Sequence, residues 1–341
     1  MRDFEENSPE IALMNITYFY RNNNAGFSIA KVFSSLVCEI SKSHTINEYF
    51  VPNRRADPLS LIKNIIYVFK NRNKNGINHI TGDIHYCMIS LIGCKTVLTI
   101  HDLSMYDCET NPVKKAIIKL FWFSLPVLLA DRVVCISDHT RSELLKLVSS
   151  EKISVIHNPI DSSFRWSLKP FKENCPRILQ IGTSWNKNLD NVIESIKGLP
   201  CLLSIVGQLS IHQRSRLSEY KIKYETRSNI SDHEILEEYL NCDIVSFCSI
   251  YEGFGMPIIE GNSIGRCVIT SNIEPLLDIS AGAACIVDPS NVVSIRNGII
   301  KIISDPVYRD NLILEGKKNV RRFDAGSIAK SYLSIYSTIK P

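Results

Sequence analysis

"CDIVSFCSIYEGFGMPIIEGNSIGRCVITSN", residues 242–272, holds a strand, a loop, a helix and a second strand in one uninterrupted run. The apolar letters of its two strand segments are nearly continuous, which is typical of parallel strands covered on both faces. Pro257 suits the first turn of the intervening helix, where its missing N–H leaves no donor unpaired. The run therefore predicts a β-α-β unit whose loop lies at the strand ends where α/β sheets bind ligands.

The alternation of strand and helix extends in both directions from this run. In the first half we predict strands over 11–20, 77–81, 95–102, 132–137 and 152–157, and helices over 26–41, 59–71, 112–129 and 138–148. In the second half we predict strands over 177–182, 201–207, 222–226, 242–249, 267–272 and 284–288, and helices over 188–198, 231–241, 257–264, 291–304 and 306–319. Residues 158–176 contain three prolines and no clear period, so we interpret them as a linker. We therefore predict an α/β protein with two Rossmann-like domains whose parallel sheets face a central cleft.

Composition narrows the class of protein. The chain has 341 residues, of which 45% are apolar and 22% charged, a balance typical of a globular protein with a large core. A net charge of +4 is too mild to argue for nucleic acid, and it is compatible with an anionic substrate. The eleven cysteines form no C-x-x-C pair, and no Cys/His cluster has zinc-site spacing. The first ten residues, "MRDFEENSPE", do not resemble a secretory signal, so a cytosolic location is expected. The nearest approach to a membrane span, "FWFSLPVLLA" at 121–130, is too short.

The opening run also places two carboxylates beside two glycines. Gly253 and Gly255 allow the backbone to approach a ligand closely, and the free amides at the start of the helix form an anion site. Carboxylates repel phosphate, so Glu252 and Glu260 are expected to accept hydrogen bonds from hydroxyl groups of the same ligand. A ligand with phosphates between two polyhydroxylated ends is a nucleotide sugar. The residues alone also leave open a glycine turn before a short helix, with Glu260 only a terminal carboxylate.

Several stretches resemble the retaining glycosyltransferases of family 4, which have the GT-B fold. They are the opening run with its E-x7-E signature, "VLTIHDLS", "VVCISDHTRSELL", "ILQIGTSWNKNLDNVIESI" and "IEPLLDISAGAACIVDP". The resemblance implies that Glu252 contacts hydroxyls of the donor sugar and Glu260 the ribose of the nucleotide. It places a donor loop near the sugar and diphosphate, comprising Gly253, Phe254, Gly255 and Met256.

The resemblance extends to three positions outside that run. Lys187 matches the lysine that holds the donor diphosphate, but the arginine that usually precedes it is absent. Gly182 and Thr183 stand in the equivalent stretch, and we assign both to the donor site. His101 matches the family histidine that lies against the donor sugar. Gly26, between the first strand and the first helix, stands where the family often has two glycines.

Two further loops are assigned to the cleft. "TGDIHY" at 81–86 follows a strand, so Asp83 is predicted, with Gly26, on the acceptor side. Asn229 precedes a helix capped by a box of Ser231 and Glu234, and its backbone is predicted to contact the nucleobase. We assign 1–165 to the first domain and 166–324 to the second. The resemblance implies that a last helix, within 325–341, crosses back to the first domain.

The implied function is that of a hexosyltransferase. The resemblance implies that a hexose, of the mannose type or similar, moves with retention from a UDP- or GDP-linked donor, with His101, Lys187 and Glu252 as catalytic residues. The chain contains no D-x-D triplet, so neither a metal nor another cofactor is expected. The expected acceptor is a glycan or a polyprenyl-diphosphate-linked oligosaccharide of a surface polysaccharide such as O-antigen or capsule.

The segment "PVKKAIIKLFWFSLPVLLA" has two interpretations. It joins three lysines to Phe121 and Trp122, and such a helix either rests on an anionic membrane or packs as core beneath a charged face. The lysines are Lys114, Lys115 and Lys119. Peripheral contact with the inner face of the cell membrane is thus one expectation for this protein.

Other functions remain open to different degrees. A Rossmann dehydrogenase requires G-x-G-x-x-G after an early strand, and the chain has none. A sugar-nucleotide epimerase or a glycan phosphorylase shares the two-domain fold, although the E-x7-E run favours transfer. A catalytically degenerate GT-B subunit that binds a partner is the non-enzymatic alternative, and the missing arginine gives it some weight. Measuring hydrolysis of a nucleotide sugar separates these alternatives.

Overall fold

The structure, a computed structural model, describes residues 13–23 and 28–339. Gly26 and the predicted strand start at 11–12 lie outside the described residues. Within them the chain forms two six-stranded parallel sheets, one on each side of the linker. The predicted α/β architecture with two Rossmann-like units is therefore confirmed.

The first unit has the strand order β2-β1-β3-β4-β5-β6. Its strands are β1 (Asn15–Tyr20), β2 (Thr45–Phe50), β3 (Ile77–Ile80), β4 (Lys95–Ile100), β5 (Arg132–Cys135) and β6 (Ile153–Val155). Its helices are α1 (Ser28–Ile40), α2 (Pro58–Asn71), α3 (Ser104–Asp107), α4 (Pro112–Ile118), α5 (Leu125–Leu129) and α6 (Asp138–Leu147). A 3₁₀ segment covers His85–Leu91, and a π-helical turn, Lys119–Ser124, joins α4 to α5.

The second unit has the order β12-β11-β10-β7-β8-β9. Its strands are β7 (Arg177–Ile181), β8 (Leu202–Val206), β9 (Lys223–Arg227), β10 (Ile244–Phe247), β11 (Cys267–Ser271) and β12 (Cys285–Val287). Its helices are α7 (Leu189–Ser195), α8 (Ile211–Glu219), α9 (Asp232–Asn241), α10 (Met256–Ser263), α11 (Leu276–Ser280), α12 (Val292–Ser304) and α13 (Pro306–Asn319). The last helix of the described chain is α14 (Ala325–Ser337).

Each sheet carries a hydrophobic cluster on both faces, which explains the nearly continuous apolar strands. In β1, Phe19 packs into one cluster while its neighbours Tyr18 and Tyr20 pack into the other. In β10, Ile244 and Val245 divide in the same way between the two clusters of the second unit. Alternate side chains of one strand therefore enter opposite hydrophobic layers. The polar residues at the ends of the strands remain available to form a ligand-binding site.

The two units are joined by two crossings that run side by side. The linker between β6 and β7 is one, and the turn before α14 is the other, because the Ile160 N–H donates to the carbonyl of Phe323 at 2.8 Å. Helix α14 packs against the first unit, where Tyr332 and Tyr336 are fully or nearly fully buried. The hydroxyl of Tyr336 lies 2.7 Å from Nδ1 of the buried His79 in β3. The last described helix therefore packs on the first unit.

Four of the described strands and α-helices were not predicted, namely β2, α8 and the two short helices α3 and α11. β2 reads "TINEYF" and lies at the edge of its sheet, where its residues are only partly buried, so its sequence lacks an apolar run. α8 reads "IHQRSRLSE" and is mostly polar, although Ser210 and Gln213 form a capping box at its start. The predicted helix over 112–129 is present as α4, the π turn and α5. Among the described residues, no helix has the length and apolarity needed to cross a bilayer.

Candidate active site

The candidate site lies where the strand order reverses in each sheet. The reversal falls between β1 and β3 in the first sheet and between β7 and β10 in the second, and α/β sheets bind ligands beyond the strand ends at such points. Arg21 and Asp83 follow β1 and β3, while Lys187 and Glu252 follow β7 and β10. All four side chains line one cavity of about 450 Å³ between the units. The predicted cleft is thus formed by both strand-end edges.

Lys187 and Glu252 are paired with each other inside the cavity. Lys187 Nζ lies 2.5 Å from Glu252 Oε1, and the two side chains are 21% and 13% exposed. Gly182 makes room for this lysine, because a Cβ at that position would lie 2.9 Å from Lys187 Cγ, and its φ of +87° favours glycine. The amide of Asn186 also approaches Glu252 Oε1, at 3.4 Å. The carboxylate is therefore held by groups of the loop after β7.

Glu260, which lines the same cavity, is held by Tyr239. It lies in the second turn of α10, and the buried Tyr239 hydroxyl donates a hydrogen bond to its carboxylate. Burial raises the pKa of Glu260, whereas the bond from Tyr239 and the charge of Lys31 act to lower it. Glu260 is thus a buried acceptor that faces the same cavity as Glu252.

The loop between the two glutamates is pressed against the first unit. The Gly253 carbonyl accepts a hydrogen bond from Ser137 Oγ at 2.9 Å. A Cβ on Gly253 would lie 2.3 Å from the carbonyl oxygen of His101, so only glycine permits this approach. Gly255, with φ +129°, packs against Leu276.

Two apolar side chains of this loop have different surroundings. Phe254 is buried, and its ring packs against that of Phe323 with the ring centroids 5.8 Å apart, so this contact fixes the donor loop to the protein interior. Met256 begins α10, and both residues contribute to the cavity lining. The four residues assigned to the donor loop therefore all border the cavity.

His101 follows β4 on the opposite wall. Its Nε2–H donates to the carbonyl of Thr81 at 2.8 Å, so in the neutral ring Nδ1 carries the free lone pair. Burial lowers the pKa of His101, which keeps the ring neutral near pH 7. Gly82, with φ +146°, allows this packing, since a Cβ there would lie 2.7 Å from His101 Cδ2. The neighbouring Asp102 caps the following turn by accepting the Ser104 N–H at 2.8 Å.

The sequence analysis missed five charged residues of the cavity, namely Arg21, Lys31, Asp102, Asp161 and Asp232. Arg21 forms an ion pair with Asp83, which itself has a left-handed φ of +56°. Lys31 of α1 reaches across the cleft to Asp232 of α9, with Nζ and Oδ1 2.8 Å apart. Arg21 directly follows a predicted strand, which was a usable signal. Lys31 and Asp232 lie in different halves of the chain, and nothing in the sequence pattern indicates that they form a pair.

Some predicted residues lie away from the cavity. Thr183 does not line it, and its hydroxyl donates to the carbonyl of Gln208 at 2.8 Å. Asn229 is exposed with φ +57° and also does not line it. Gly182 contributes through Lys187 rather than by lining the cavity. Gly26 lies outside the described residues.

Trp122 corrects the interpretation of the lysine-rich segment. Its side chain is only 8% exposed, and Nε1 donates to the carbonyl of Asp83 at 2.9 Å. Lys114 and Phe121 are exposed, as are Ile117 and Leu120 nearby. Trp122 therefore belongs to the core beside the cleft, and the exposed face consists of its neighbours.

Among the residues that the structure describes, one cluster combines metal-binding side chains. Asp138, His157 and Asp278 each place one ligand-type atom within 4.8 Å of the others. These residues do not line the cavity, and Arg322 pairs with Asp278 at 3.0 Å, so its positive charge opposes a cation there. We therefore assign no metal to this cluster, and Arg322 is the charge partner of Asp278. The expectation of metal-free catalysis stays a prediction.

Two family models match the chain. Residues 39–164 match the model described as Glycosyltransferase Family 4, and residues 168–319 match the one described as Glycosyl transferases group 1. The two matches follow the two units of the structure.

Individual proteins are similar over much of their length. O-antigen chain mannosyltransferase B of Escherichia coli is 23% identical over 271 residues, 72% of this chain and 71% of that protein. O-antigen chain mannosyltransferase RfbU of Salmonella typhimurium is 28% identical over 226 residues, 63% of each protein and so less than two thirds. The structure of sucrose-phosphate synthase from Thermosynechococcus elongatus has a TM-score of 0.76 over 95% of this chain and 98% of that one. At 17% identity this likeness shows a shared fold.

Proposed function

This chain is a GT-B glycosyltransferase of the family 4 type, and from that premise we propose that it transfers a hexose from a UDP- or GDP-linked donor with retention of configuration. The observation that carries the proposal is one cavity lined by two carboxylates and by a lysine that pairs with one of them. Glu252 and Glu260 are the hydroxyl acceptors, and Lys187 is the cation. The similarity to two O-antigen mannosyltransferases supports mannose as the sugar and a surface glycan as the product.

Each site residue has a distinct role in this proposal. Glu260, fixed by Tyr239, accepts hydrogen bonds from the ribose hydroxyls, and Glu252 accepts them from the donor sugar. The backbone of the donor loop and the start of α10 face the diphosphate, where the helix N-terminus favours negative charge. Neutral His101 presents its Nδ1 lone pair to a sugar hydroxyl from the other unit.

The reaction separates charge, and the site is arranged to stabilise both ends. Positive charge develops on the sugar ring next to Glu252, and negative charge develops on the leaving diphosphate next to Lys187. The acceptor oxygen bonds to the anomeric carbon on the face from which the diphosphate leaves. The acceptor's proton passes to an oxygen of the leaving phosphate, so no separate protein nucleophile is required. Arg21 and Lys31 add positive potential from the first unit, in place of the absent family arginine.

A donor screen tests the proposal. Thermal unfolding is measured with UDP- and GDP-linked hexoses, and released nucleoside diphosphate is assayed with and without EDTA. A bound donor at a hundred times its Kd stabilises the fold by about 2.7 kcal/mol. We expect one nucleotide class to stabilise the wild type, Glu260→Gln to lose that effect, and hydrolysis to persist in EDTA. The exposed Glu219→Gln is the matched control. A wild type that no nucleotide sugar stabilises contradicts the proposal, and activity abolished by EDTA contradicts metal independence.

We also propose that the enzyme works at the inner face of the cell membrane. Its exposed face around the π turn joins Lys114 to Ile117, Leu120 and Phe121, a combination that suits an anionic bilayer surface. In a sedimentation assay with vesicles that contain anionic lipid, the wild type should be found in the vesicle pellet and Phe121→Ser should stay in the supernatant. Binding that is the same to anionic and to zwitterionic vesicles, or the same in both proteins, contradicts this location.

A further inference from the structure

A second cavity of about 400 Å³ opens beside the first, and only residues of the first unit line it. The two cavities share Arg21, Asp83 and Asp102. The ion pair of Arg21 with Asp83 therefore stands in the wall between them. A molecule in the second cavity is thus adjacent to the site where the donor sugar is proposed to lie.

Two arginines give this cavity a positive mouth. Arg54 and Arg55 follow β2, line the cavity and are exposed. Neither makes a hydrogen bond or an ion pair with another residue of the described ranges. The nearby Asp57 is engaged as the cap of α2, where it accepts from the Ser60 N–H at 3.1 Å. The charge of Arg55 acts on the nearby Asp57, but among the described residues no hydrogen bond occupies either guanidinium group, and guanidinium groups match the geometry of a phosphate or a carboxylate.

The loop that carries the arginines is held in place from within. The side-chain oxygen of the buried Asn64 accepts the Asn53 N–H at 3.0 Å, and its amide donates to the Asn53 carbonyl at 3.0 Å. The same amide donates to the Tyr86 hydroxyl at 2.9 Å. The Tyr86 ring packs on Trp122, with ring centroids 5.1 Å apart. The mouth of the cavity is therefore fixed to its floor by a buried asparagine.

The floor contains a histidine with one unused nitrogen. His85 is 4% exposed, lines the cavity, and its Nδ1–H donates to the carbonyl of Trp122 at 2.8 Å. In the neutral ring Nε2 therefore carries a lone pair, and it has no hydrogen-bond partner among the described residues. Trp122 lies in the π turn, and such turns are frequent at functional sites. A buried acceptor without a partner suits a hydroxyl group of a ligand.

We propose that this second cavity is an acceptor subsite for an anionic group, a phosphate or a carboxylate, carried by the molecule that receives the sugar. Arg54 and Arg55 bind the anion, and His85 accepts a hydrogen bond from a hydroxyl of the same acceptor. The inference rests on the proposed function, because only a transferase has an acceptor to bind. The anion has two sources in glycan acceptors, namely a lipid-linked diphosphate and an acidic sugar.

Calorimetric titration of the full chain tests the subsite with defined probes. The probes are farnesyl diphosphate, inorganic pyrophosphate, glucuronic acid and uncharged farnesol. We expect at least one anionic probe to bind, farnesol to bind much more weakly, and Arg54→Ala/Arg55→Ala to weaken the anionic probe by about tenfold or more. Stronger binding of the diphosphates identifies a lipid-linked acceptor, and stronger binding of glucuronic acid identifies an acidic sugar.

Two controls make the result specific. Arg141→Ala/Arg214→Ala removes two exposed arginines elsewhere and should leave anion binding unchanged. Titrations repeated with the donor cavity saturated by UDP or GDP should give the same anion affinity, which shows that the probe does not occupy the donor cavity. The subsite is overturned when no anionic probe binds, or when the Arg54/Arg55 variant binds the probe like wild type. A wild type that binds no nucleotide sugar instead counts against the proposed function. Failure of the subsite and failure of the proposed function are therefore distinguishable.

Discussion

Lys187 and Glu252 are each other's charge partner, although they lie 65 positions apart in the chain. Because both side chains are largely buried, removing one leaves the other charge without its partner. The lysine therefore has two tasks: it holds Glu252 in place before the donor binds, and it faces the diphosphate afterwards. These tasks make the two residues a coupled pair rather than independent contributors.

A double-mutant cycle measures this coupling. We expect Lys187→Ala to lower kcat/KM for donor turnover by about 10² or more, the scale of losing one electrostatic stabiliser. Lys187→Ala combined with Glu252→Gln should cost less free energy of unfolding than the sum of the single changes, by roughly 0.5–3 kcal/mol. The exposed pair Lys146–Glu143, also 2.5 Å apart, is the control and should couple by about 0.3–0.5 kcal/mol. If the effects on the free energy of unfolding are additive in both the Lys187–Glu252 cycle and the control cycle, the pairing of Lys187 with Glu252 is contradicted.

The buried carboxyl of Glu260 makes nucleotide binding dependent on pH. Burial raises its pKa, and only the ionised form accepts hydrogen bonds from both ribose hydroxyls. Nucleotide affinity should therefore rise as pH increases through the raised pKa. Without ligand the sign is opposite, because an acid with a raised folded-state pKa loses its contribution to stability as pH rises.

Calorimetry between pH 4.5 and about 8 compares wild type with two variants over the range in which carboxyl and phosphate groups titrate. Glu260→Gln should remove the part of the pH dependence that belongs to the protein, while ionisation of the nucleotide is common to both. Tyr239→Phe removes the hydrogen bond to the carboxylate and should move the profile to higher pH. Equal profiles in all three proteins contradict the assignment of Glu260 to the ribose.

At the scale of elements, α14 is attached to the first sheet through a buried polar cluster. His79 of β3 contacts the Tyr336 hydroxyl at 2.7 Å and Thr99 Oγ1 at 2.8 Å. The Tyr336 hydroxyl in turn lies 3.0 Å from that of Tyr18. Burial lowers the pKa of His79 to about 3, so the folded protein holds this ring neutral in acid. The return of the chain to its first unit therefore depends on an uncharged histidine.

Acid should loosen this attachment. The unfolded chain takes up the proton near the usual pKa of about 6.5, so His79 contributes full stability above that pH and progressively less down to about pH 3. The expected slope is at most about 1.4 kcal/mol per pH unit for one proton. Urea unfolding from pH 7 to pH 4 should show this slope reduced in His79→Gln. The exposed His233→Gln is the control, and equal slopes in all three proteins disprove the role of His79.

Elements buried on both faces were predictable, and those at the sheet margins were not. "CDIVSFCS" and "KTVLTIHD" are nearly continuous apolar runs because their strands lie inside a sheet between two helical layers. β2 lies at a sheet edge, and its side chains are only partly buried, so its sequence shows no regular alternation of apolar and polar residues. α8 has a capping box, but its polar residues hide the apolar face that a helix pattern requires.

The candidate site was predictable wherever a residue follows a strand in a recognisable motif. His101, Lys187 and Glu252 line the cleft for that reason, and Glu260 lines it from the helix that follows the same motif. The ion pairs Arg21–Asp83 and Lys31–Asp232 were not predictable, because they depend on how elements distant in sequence meet. Asn229 lies on an exposed turn outside the cavity lining, and its contact with the nucleobase stays a prediction.

At the scale of the molecule, the cleft is bridged by a few polar contacts. Lys31 pairs with Asp232 at 2.8 Å, and the Tyr251 hydroxyl donates to Asp107 at 2.9 Å. An exposed ion pair contributes about 0–1 kcal/mol, and a hydrogen bond about 0.5–1.5 kcal/mol. Contacts of this size are broken and remade easily, so we expect the units to open for the donor and to close around it.

Gly253 provides the test of that closure. Its Cα packs against the first unit so closely that a Cβ would lie 2.3 Å from the His101 carbonyl oxygen and 2.9 Å from Asp102 Cβ. Gly253→Ala should therefore keep the cleft open while each unit folds normally. Gly326→Ala is the control, since its Cβ would approach only the Asp324 carboxylate, at 3.4 Å. Small-angle scattering should show a radius of gyration that falls on adding nucleoside diphosphate in the wild type and the control. In Gly253→Ala the radius should be larger and unchanged by the nucleotide, with donor turnover lost in parallel. A Gly253→Ala protein that contracts like wild type shows that the cleft closes without this contact.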